Sequence, residues 1–167
     1  MSSPAVIRFP NPVLKQPTRD IAAFDSNSKS LIQTLIKVMR SHPRCVGLAA
    51  PQLGFGSRVA VMDASVHPKA GKTHGMLVLV NPVIQLTEGG KVGREGCLSI
   101  PDFTANVKRA ERVLLRAADE QGNPYELWME GFEAIVAQHE VDHLEGMLFL
   151  DRVVNLKTDV FRRKIYL

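Results

Sequence analysis

The five residues His139-Glu140-Val141-Asp142-His143 form an HExxH motif. Residues four positions apart lie one turn apart on the same face of a helix, so two imidazoles at this spacing can bind one metal ion. Glu140 lies beside that face, where it can accept a proton from a water molecule without being a ligand. Core or surface histidines can also match this five-residue pattern by chance. The motif alone does not specify the class of metalloenzyme.

A catalytic site of this kind needs a third protein ligand, because such sites use three ligands and leave one coordination position open. Downstream of the motif the chain offers Glu145 and Asp151 but no further histidine. Cys97, in the segment REGCLSIP, is a better candidate, since a thiolate binds zinc or ferrous iron well. The competing interpretation is that Cys97 is a buried apolar residue, as a lone cysteine often is.

The helix that carries the motif must direct both histidines towards the protein interior. Phe132, Ile135 and Val136 share a face with the histidines at helical spacing, and we expect this face to be buried. Gly146 follows at the position where a helix C-terminus favours glycine. Imidazoles in an apolar wall are costly unless something satisfies their polar nitrogens, and a metal ion is one such partner.

The remaining pattern predicts strands first and then this late helix packed on them, which is an α+β fold. Apolar periodicity predicts a helix over Ser28–Ser41, strands over Arg58–Asp63, Met76–Asn81 and Tyr125–Met129, and a β region over Asn106–Ala118. The segment VGLAAPQLGFG, residues 46–56, reads as a tight loop, and Ala64–Gly75 as a polar loop.

Length and composition indicate an ordinary globular chain. Its 167 residues fit one catalytic domain over residues 1–167, with a proline-rich extended arm at 1–25 and a short basic tail at 152–167. We expect a cytoplasmic protein, because the sequence shows neither a secretory signal nor an apolar stretch that could span a membrane. Its two cysteines are then more often thiols or ligands than a disulfide.

The net charge of +4 is mild, and we expect no sequence-specific binding to nucleic acid. Arg162, Arg163 and Lys164 form the densest basic cluster. We interpret it as the solvated face or end of a short helix, with docking to an acidic partner such as ribosomal RNA as the alternative.

Three segments together resemble the signature motifs of the peptide deformylase family. They are Val46–Gln52 (VGLAAPQ), Glu95–Ser99 (EGCLS) and Gln138–Gly146 (QHEVDHLEG), in the order and spacing of the shorter bacterial members. The opening segment IRFPNPVLKQPTRDI is also similar to the start of that family. The resemblance covers almost the whole chain apart from the tail and residues 64–75.

This resemblance implies antiparallel and mixed strands packed around a central metal-binding helix. It implies a hydrolase that acts in protein biosynthesis, removing the N-formyl group from the N-terminal formylmethionine of new polypeptides and releasing formate. Cys97, His139 and His143 would hold one divalent ion, Fe²⁺ in nature, with Zn²⁺, Ni²⁺ or Co²⁺ as substitutes. The partners would be N-formylmethionyl peptides and, transiently, the ribosome, with no membrane involved.

The same resemblance assigns roles to further residues. Water activated by the metal would attack the formyl carbon, with Glu140 as general base and then general acid. The side-chain amide of Gln52 and the backbone N–H of Leu98 would stabilise the oxyanion. Val46, Gly47 and Val136 would bind the substrate, and Phe132 and Ile135 would either join that pocket or belong to the core.

Glu95 and Asp142 would either orient a ligand or a neighbouring arginine, or be simply exposed. The chain also departs from the family in two places. Cys45 stands where glycine is usual, and Asp102–Ala105 lacks the arginine that contacts the substrate backbone in many bacterial members. Both departures bear on substrate preference.

Two other functions remain open at the level of sequence. An HExxH protease that cleaves internal peptide bonds would need a third ligand downstream, and the chain supplies no good one. A binding module that has lost its catalytic activity would be expected to lack Glu140, Gln52 or one of the ligands, and all of these are present.

Overall fold

The structure is a computed structural model that describes residues 2–164. Within these residues, the α-helices are α1 (Ser26–Ser41) and α2 (Gly131–Leu144). The strands are β1 (Gly47–Ala49), β2 (Val59–Asp63), β3 (Met76–Glu88), β4 (Lys91–Cys97), β5 (Ile100–Arg109), β6 (Arg112–Ala118), β7 (Pro124–Glu130) and β8 (Val160–Arg162). Neither helix is long and apolar enough to span a membrane.

The strands form two antiparallel sheets. The larger sheet has the order β1-β2-β3-β6-β7, and the smaller has the order β4-β5-β8. Helix α2 packs against all five strands of the larger sheet, while α1 packs against β1 and β2. Buried apolar side chains such as Met62, Leu79, Leu115, Met129 and Val136 join α2 to that sheet. The α+β fold with strands around a central helix is therefore confirmed.

Both predicted helices are present. Helix α1 begins at Ser26, two residues before the predicted start, because the Asp25 carboxylate caps it by accepting bonds from the N–H groups of Asn27 and Ser28. Helix α2 begins at Gly131, directly before the predicted apolar face, and ends at Leu144. Gly146 follows it with φ of 75°, a left-handed conformation that favours glycine.

The predicted strands are present, but their boundaries differ. Strand β2 begins at Val59, one residue later than predicted. Strand β7, Pro124–Glu130, is one residue longer at each end than predicted. Strand β3 continues to Glu88, past Asn81, whose φ is 51°. The Asn81 side chain holds this irregular point, since it accepts from the N–H of Ile21 and donates to its C=O. The predicted β region over Asn106–Ala118 is the end of β5 and all of β6.

Three sequence predictions were wrong in part. Residues 46–56 are not simply a tight loop, because β1 pairs with β2 and Ala50–Leu53 forms a 3₁₀ turn. Ala64–Gly75 begins with another 3₁₀ turn, Ala64–Val66. The basic tail is not helical over its described part, since β8 pairs with the edge of β5. The edge of β5 offers unpaired backbone groups, and β8 satisfies them. Residues 165–167 lie outside the described residues.

The N-terminal arm contacts two of the three motif segments. Its Pro12–Lys15 segment forms a 3₁₀ turn, and Leu14 is completely buried against the smaller sheet. The N–H of Ile7 donates to the C=O of Gln52 at 2.7 Å, and the N–H of Phe9 donates to the C=O of Ser99 at 2.9 Å. The arm therefore fixes the backbone of two segments that carry candidate site residues.

Candidate active site

The metal-ligand candidates converge from two parts of the fold. His139 and His143 lie on α2, and Cys97 is the last residue of β4. One potential ligand atom from each of the three residues lies within 4.8 Å of the others. The Cys97 Sγ lies 3.3 Å from the Nε2 of His143, and both side chains are buried. A register shift between Gly96 and Cys97, at the tight connection from β4 to β5, places the thiol at the helix.

The electrostatics of this cluster suit a thiolate. Burial alone would raise the pKa of the Cys97 thiol, but the charge of His143 and hydrogen bonds from both imidazoles hold it well below its ordinary value. Burial would lower the pKa of His139, yet Cys97 and Glu95 hold it well above its ordinary value. A soft thiolate with two imidazole nitrogens is a donor set that fits zinc or ferrous iron. The residues present therefore fit a divalent ion.

Glu95 orients His139. Its Oε1 lies 3.0 Å from the Nδ1 of His139, which leaves Nε2 of that ring for the cluster. Arg109 donates to both oxygens of Glu95, at 2.8 and 2.9 Å. Burial would raise the pKa of Glu95, but the bonds from Arg109 and His139 lower it to about 2. Glu95 is therefore a buried carboxylate beside the site and not an exposed side chain.

Arg109 extends this network to α2. Its Nη1 donates to the Asp142 carboxylate at 2.6 Å, and Arg152 donates to the same carboxylate at 2.7 Å. Glu95 and Asp142 were expected either to orient a ligand or an arginine or to be exposed, but their partners Arg109 and Arg152 were not predicted from the sequence. The sequence did carry a signal for Arg109, because Ala105, Val107 and Arg109 occupy alternate positions of one strand. The structure shows that all three side chains are buried.

Glu140 lies against Gly47 and is only 4% exposed. A Cβ built on Gly47 would lie 2.7 Å from the Cδ of Glu140, so the carboxylate needs the absence of a side chain there. Its Oε2 is buried and has no hydrogen-bond partner among the described residues. Burial raises the pKa of Glu140 to about 7, against the lowering effect of the two histidines. A carboxyl in this range can both accept and return a proton near neutral pH.

Gln52 is held rigidly beside the cluster. Its Oε1 accepts from the N–H of Ala49 at 3.0 Å, and its Nε2 donates to the Ser99 hydroxyl at 3.1 Å. The same Nε2 lies 3.5 Å from the Cys97 Sγ, so the amide donor is directed at the cluster. Ser99 was not identified from sequence. Leu98 lies in the connection between β4 and β5, next to Cys97.

A cleft of about 390 Å³ opens onto the cluster. The candidate site residues along its wall are Val46, Gly47, Gln52, Cys97, Leu98, Val136, His139 and Glu140. Phe132 and Ile135 also line it and are half-buried, which corrects the expectation that the whole helix face is buried. The buried apolar residues of α2, such as Ala134 and Ala137, pack against the larger sheet, whereas Phe132 and Ile135 face the cleft.

Cys45 is half-buried in the cleft wall. Its Sγ donates to the C=O of Gly47 at 3.2 Å. Burial raises the pKa of this thiol to about 12, with the charge of Glu140 adding to the effect. Cys45 is therefore held as a neutral thiol.

Known proteins resemble this chain over most of its length. The family model for polypeptide deformylase matches residues 4–159. The peptide deformylase of Alkalilimnicola ehrlichii is 40% identical over 160 residues, which covers 96% of this chain and 87% of that protein. The peptide deformylase of Aquifex aeolicus is 43% identical over 148 residues, covering 89% and 86%.

Solved structures show the same likeness. The peptide deformylase of Legionella pneumophila superposes with a TM-score of 0.84 at 36% identity, covering 93% of this chain and 89% of that one. A peptide deformylase of Synechococcus elongatus, solved in complex with actinonin, has a TM-score of 0.84 at 37% identity, covering 93% and 82%.

Proposed function

The chain belongs to the polypeptide deformylase family, and from this premise we propose how its own residues hydrolyse the N-formyl group of formylmethionine on new polypeptides. Family membership and the cluster of Cys97, His139 and His143 make it a metal-dependent hydrolase that releases formate. The observation that carries the proposal is this cluster, with Cys97 and His143 buried and His139 partly buried, the Glu140 carboxylate beside it, and one cleft leading to it.

Cys97, His139 and His143 would hold one divalent ion. We propose ferrous iron as the ion, as the resemblance to the family implies. Zinc, nickel or cobalt could replace it, because thiolate and imidazole donors suit all four ions. When bound, the ion supplies Lewis-acid chemistry, polarising a carbonyl oxygen and lowering the pKa of water. Glu95 keeps the Nδ1 of His139 occupied, so that His139 presents Nε2.

Glu140 moves the proton. Its buried Oε2, without a partner among the described residues, accepts the proton of the attacking water. The same carboxyl then delivers the proton to the departing amine as the C–N bond breaks. A position protected from solvent keeps this proton at the site between the two transfers.

Gln52 and Leu98 stabilise the charge that develops on the formyl oxygen. The Gln52 amide is fixed by Ala49 and Ser99 before substrate binds, so its donor needs no reorganisation during the reaction. The backbone N–H of Leu98 provides a second donor from the β4–β5 connection. Removing one such donor typically costs about 10²–10³ in rate.

Val46, Gly47 and Val136 hold the start of the substrate. Val46 and Val136 offer apolar surface for the methionine side chain, with Phe132 and Ile135 extending it along the cleft. Gly47 presents its backbone at the cleft wall for the substrate backbone, while the space of its missing side chain accommodates the Glu140 carboxylate.

The test is formate release from formyl-Met-Ala-Ser by protein prepared without oxygen and loaded with ferrous iron. We expect turnover in the wild type and a fall of about 10²–10⁴ in Glu140→Gln, because general acid–base catalysis contributes on that order. Metal analysis should find the ion still bound in the variant. Absence of turnover in the metal-loaded wild type would contradict the proposal, and cleavage of casein would favour the protease alternative.

We further propose that the protein acts in the cytoplasm and contacts the ribosome transiently through its basic C-terminal segment. The exposed side chains of Arg162 and Lys164 support this contact. Co-sedimentation with ribosomes at low salt should weaken in a variant carrying Arg162→Glu and Lys164→Glu. Equal co-sedimentation of variant and wild type would remove the ribosome from the proposal.

A further inference from the structure

The rim of the cleft is cationic. Arg44, Lys69, Arg94 and Arg163 all line the cleft and are exposed. Within residues 2–164 none of the four forms an ion pair with a carboxylate. The carboxylates along the cleft are Glu95 and Glu140, which are buried and belong to the site itself. The entrance therefore carries four cationic side chains that have no ion-pair partner among residues 2–164.

Arg163 lies against the segment that carries Cys97. The end of β8 brings it there, since its N–H donates to the C=O of Asp102 at 2.8 Å. A Cβ built on Gly96 would lie 3.2 Å from the Cζ of Arg163, so the guanidinium covers Gly96. Gly96 directly precedes Cys97, and a glycine at this position leaves the space that the guanidinium fills.

The other cations are also positioned. The Arg94 guanidinium lies 3.7 Å from the centre of the Phe161 ring and donates to the Asn106 side chain at 3.1 Å. Across the cleft, Arg44 has a φ of 66°, a left-handed conformation that residues other than glycine rarely adopt. Lys69 lies on the same side, in the loop after β2. Cations on both walls face a substrate that enters between them.

We propose that the cleft prefers formylated peptides with a carboxylate on the second or third residue, and that Arg163 is the side chain that binds it. This inference rests on the proposed function of the cleft. An extended peptide advances about 3.3–3.6 Å per residue, so side chains just after the formylmethionine pass the region next to Cys97. Unpaired cations on both walls attract an acidic segment and raise its local concentration.

The experiment compares peptides that differ only in one charge. The pairs are formyl-Met-Asp-Ser-amide with formyl-Met-Asn-Ser-amide, and formyl-Met-Ala-Asp-amide with formyl-Met-Ala-Asn-amide. The proteins are wild type, Arg163→Gln, and Arg162→Gln as a control with the same change in net charge. Arg162 is the exposed last residue of β8, directly before Arg163, and it does not line the cleft.

At low salt we expect the wild type to favour Asp over Asn in at least one pair by about threefold to tenfold in kcat/KM, mainly through KM. Arg163→Gln should bring that ratio close to one, and Arg162→Gln should leave it unchanged. The preference should also shrink at 1 M salt, where the Debye length falls to about 3 Å.

Equal ratios in wild type and Arg163→Gln would overturn the inference, as would an equal loss on charged and neutral peptides. Calorimetric measurement of the affinity for the same peptides tests the charge preference separately from the proposed function. If no peptide releases formate, the proposed function fails, while tighter binding of the Asp peptide that Arg163→Gln abolishes still supports the inference. Equal binding of Asp and Asn peptides by the wild type overturns it.

Discussion

At the scale of single residues, the Glu140 carboxylate depends on the missing side chain at position 47. A Cβ there would lie 2.7 Å from Cδ and 2.9 Å from Cγ of Glu140, and the buried carboxylate has no solvent to move into. We expect Gly47→Ala to lower kcat/KM for formyl-Met-Ala-Ser by about 10²-fold or more, because general acid–base catalysis is worth at least that much.

Gly93→Ala is the matched control for this substitution. Gly93 also lines the cleft, and a Cβ on it would meet nothing within 4 Å. Circular dichroism and bound metal should be the same in both variants. Equal activity of Gly47→Ala and Gly93→Ala would contradict the proposed position of Glu140.

Gln52 gives a second prediction at this scale. We expect Gln52→Ala to lower kcat by about 10²–10³-fold, since its amide is directed at the cluster before substrate binds. Ser99→Ala removes only one of the contacts that hold the amide, and its effect should be clearly smaller. Steady-state kinetics measure both variants, with thermal melts to show that each is folded. A kcat near the wild-type value in Gln52→Ala would exclude Gln52 from the oxyanion site.

At the scale of elements, Arg109 joins three parts of the fold. It projects from β5 and pairs with Glu95 on β4 and with Asp142 on α2. Arg109→Met would leave two buried carboxylates without this partner. We expect the free energy of unfolding to fall by about 3–5 kcal/mol, as for other broken buried ion pairs. Metal affinity should fall by about 10–100-fold, because Glu95 would no longer be fixed against His139.

Urea denaturation and metal titration would measure these two effects. Arg112→Met serves as the control, because Arg112 pairs with Glu88 while both side chains are largely exposed. Exposed pairs are worth about 0.2–1 kcal/mol, so this variant should lose little stability. Equal losses in the two variants would mean that the buried network contributes nothing beyond a surface ion pair.

The sequence predicted those helices and strands whose apolar pattern lies within one segment. It did not predict the short strands that form only by pairing with a strand elsewhere in the chain. Helix α1 and strand β2 follow from apolar periodicity within one segment. In contrast, β1 and β8 are three residues each and exist because β2 and β5 offer them an edge. Periodicity in such short segments cannot be distinguished from a loop, and it says nothing about the partner strand.

The same division applies to the candidate site. His139, Glu140 and His143 were found because their spacing along one helix is itself a chemical pattern. Arg109 was missed, and Arg163 was placed only in a basic cluster, because their positions depend on which strands pair. Arg163 lies 66 positions from Cys97 in the chain, yet β8 brings its guanidinium over Gly96, beside that cysteine.

At the scale of the whole molecule, the candidate metal centre lies between the two sheets. Cys97 belongs to the smaller sheet, whereas the histidines lie on the helix that packs against the larger one. The N-terminal arm also bridges them, with Ile7 bonded to Gln52 and Phe9 bonded to Ser99. An ion held by these three ligands would therefore connect the two halves of the fold.

Removing the metal should therefore destabilise the entire chain. An ion at about 1,000 times its dissociation constant stabilises the folded state by about 4 kcal/mol, so chelation should lower Tm by roughly 8–16 °C. Calorimetry with and without chelator measures this difference. Cys97→Ser should reduce it sharply by weakening the ligand set, while Cys45→Ser, which changes a thiol that is not in the cluster, should retain it. Because the comparison is between the two Tm values of each variant, a general loss of stability cannot imitate the result. An unchanged Tm after metal removal from the wild type would show that the fold holds the cluster together without the ion.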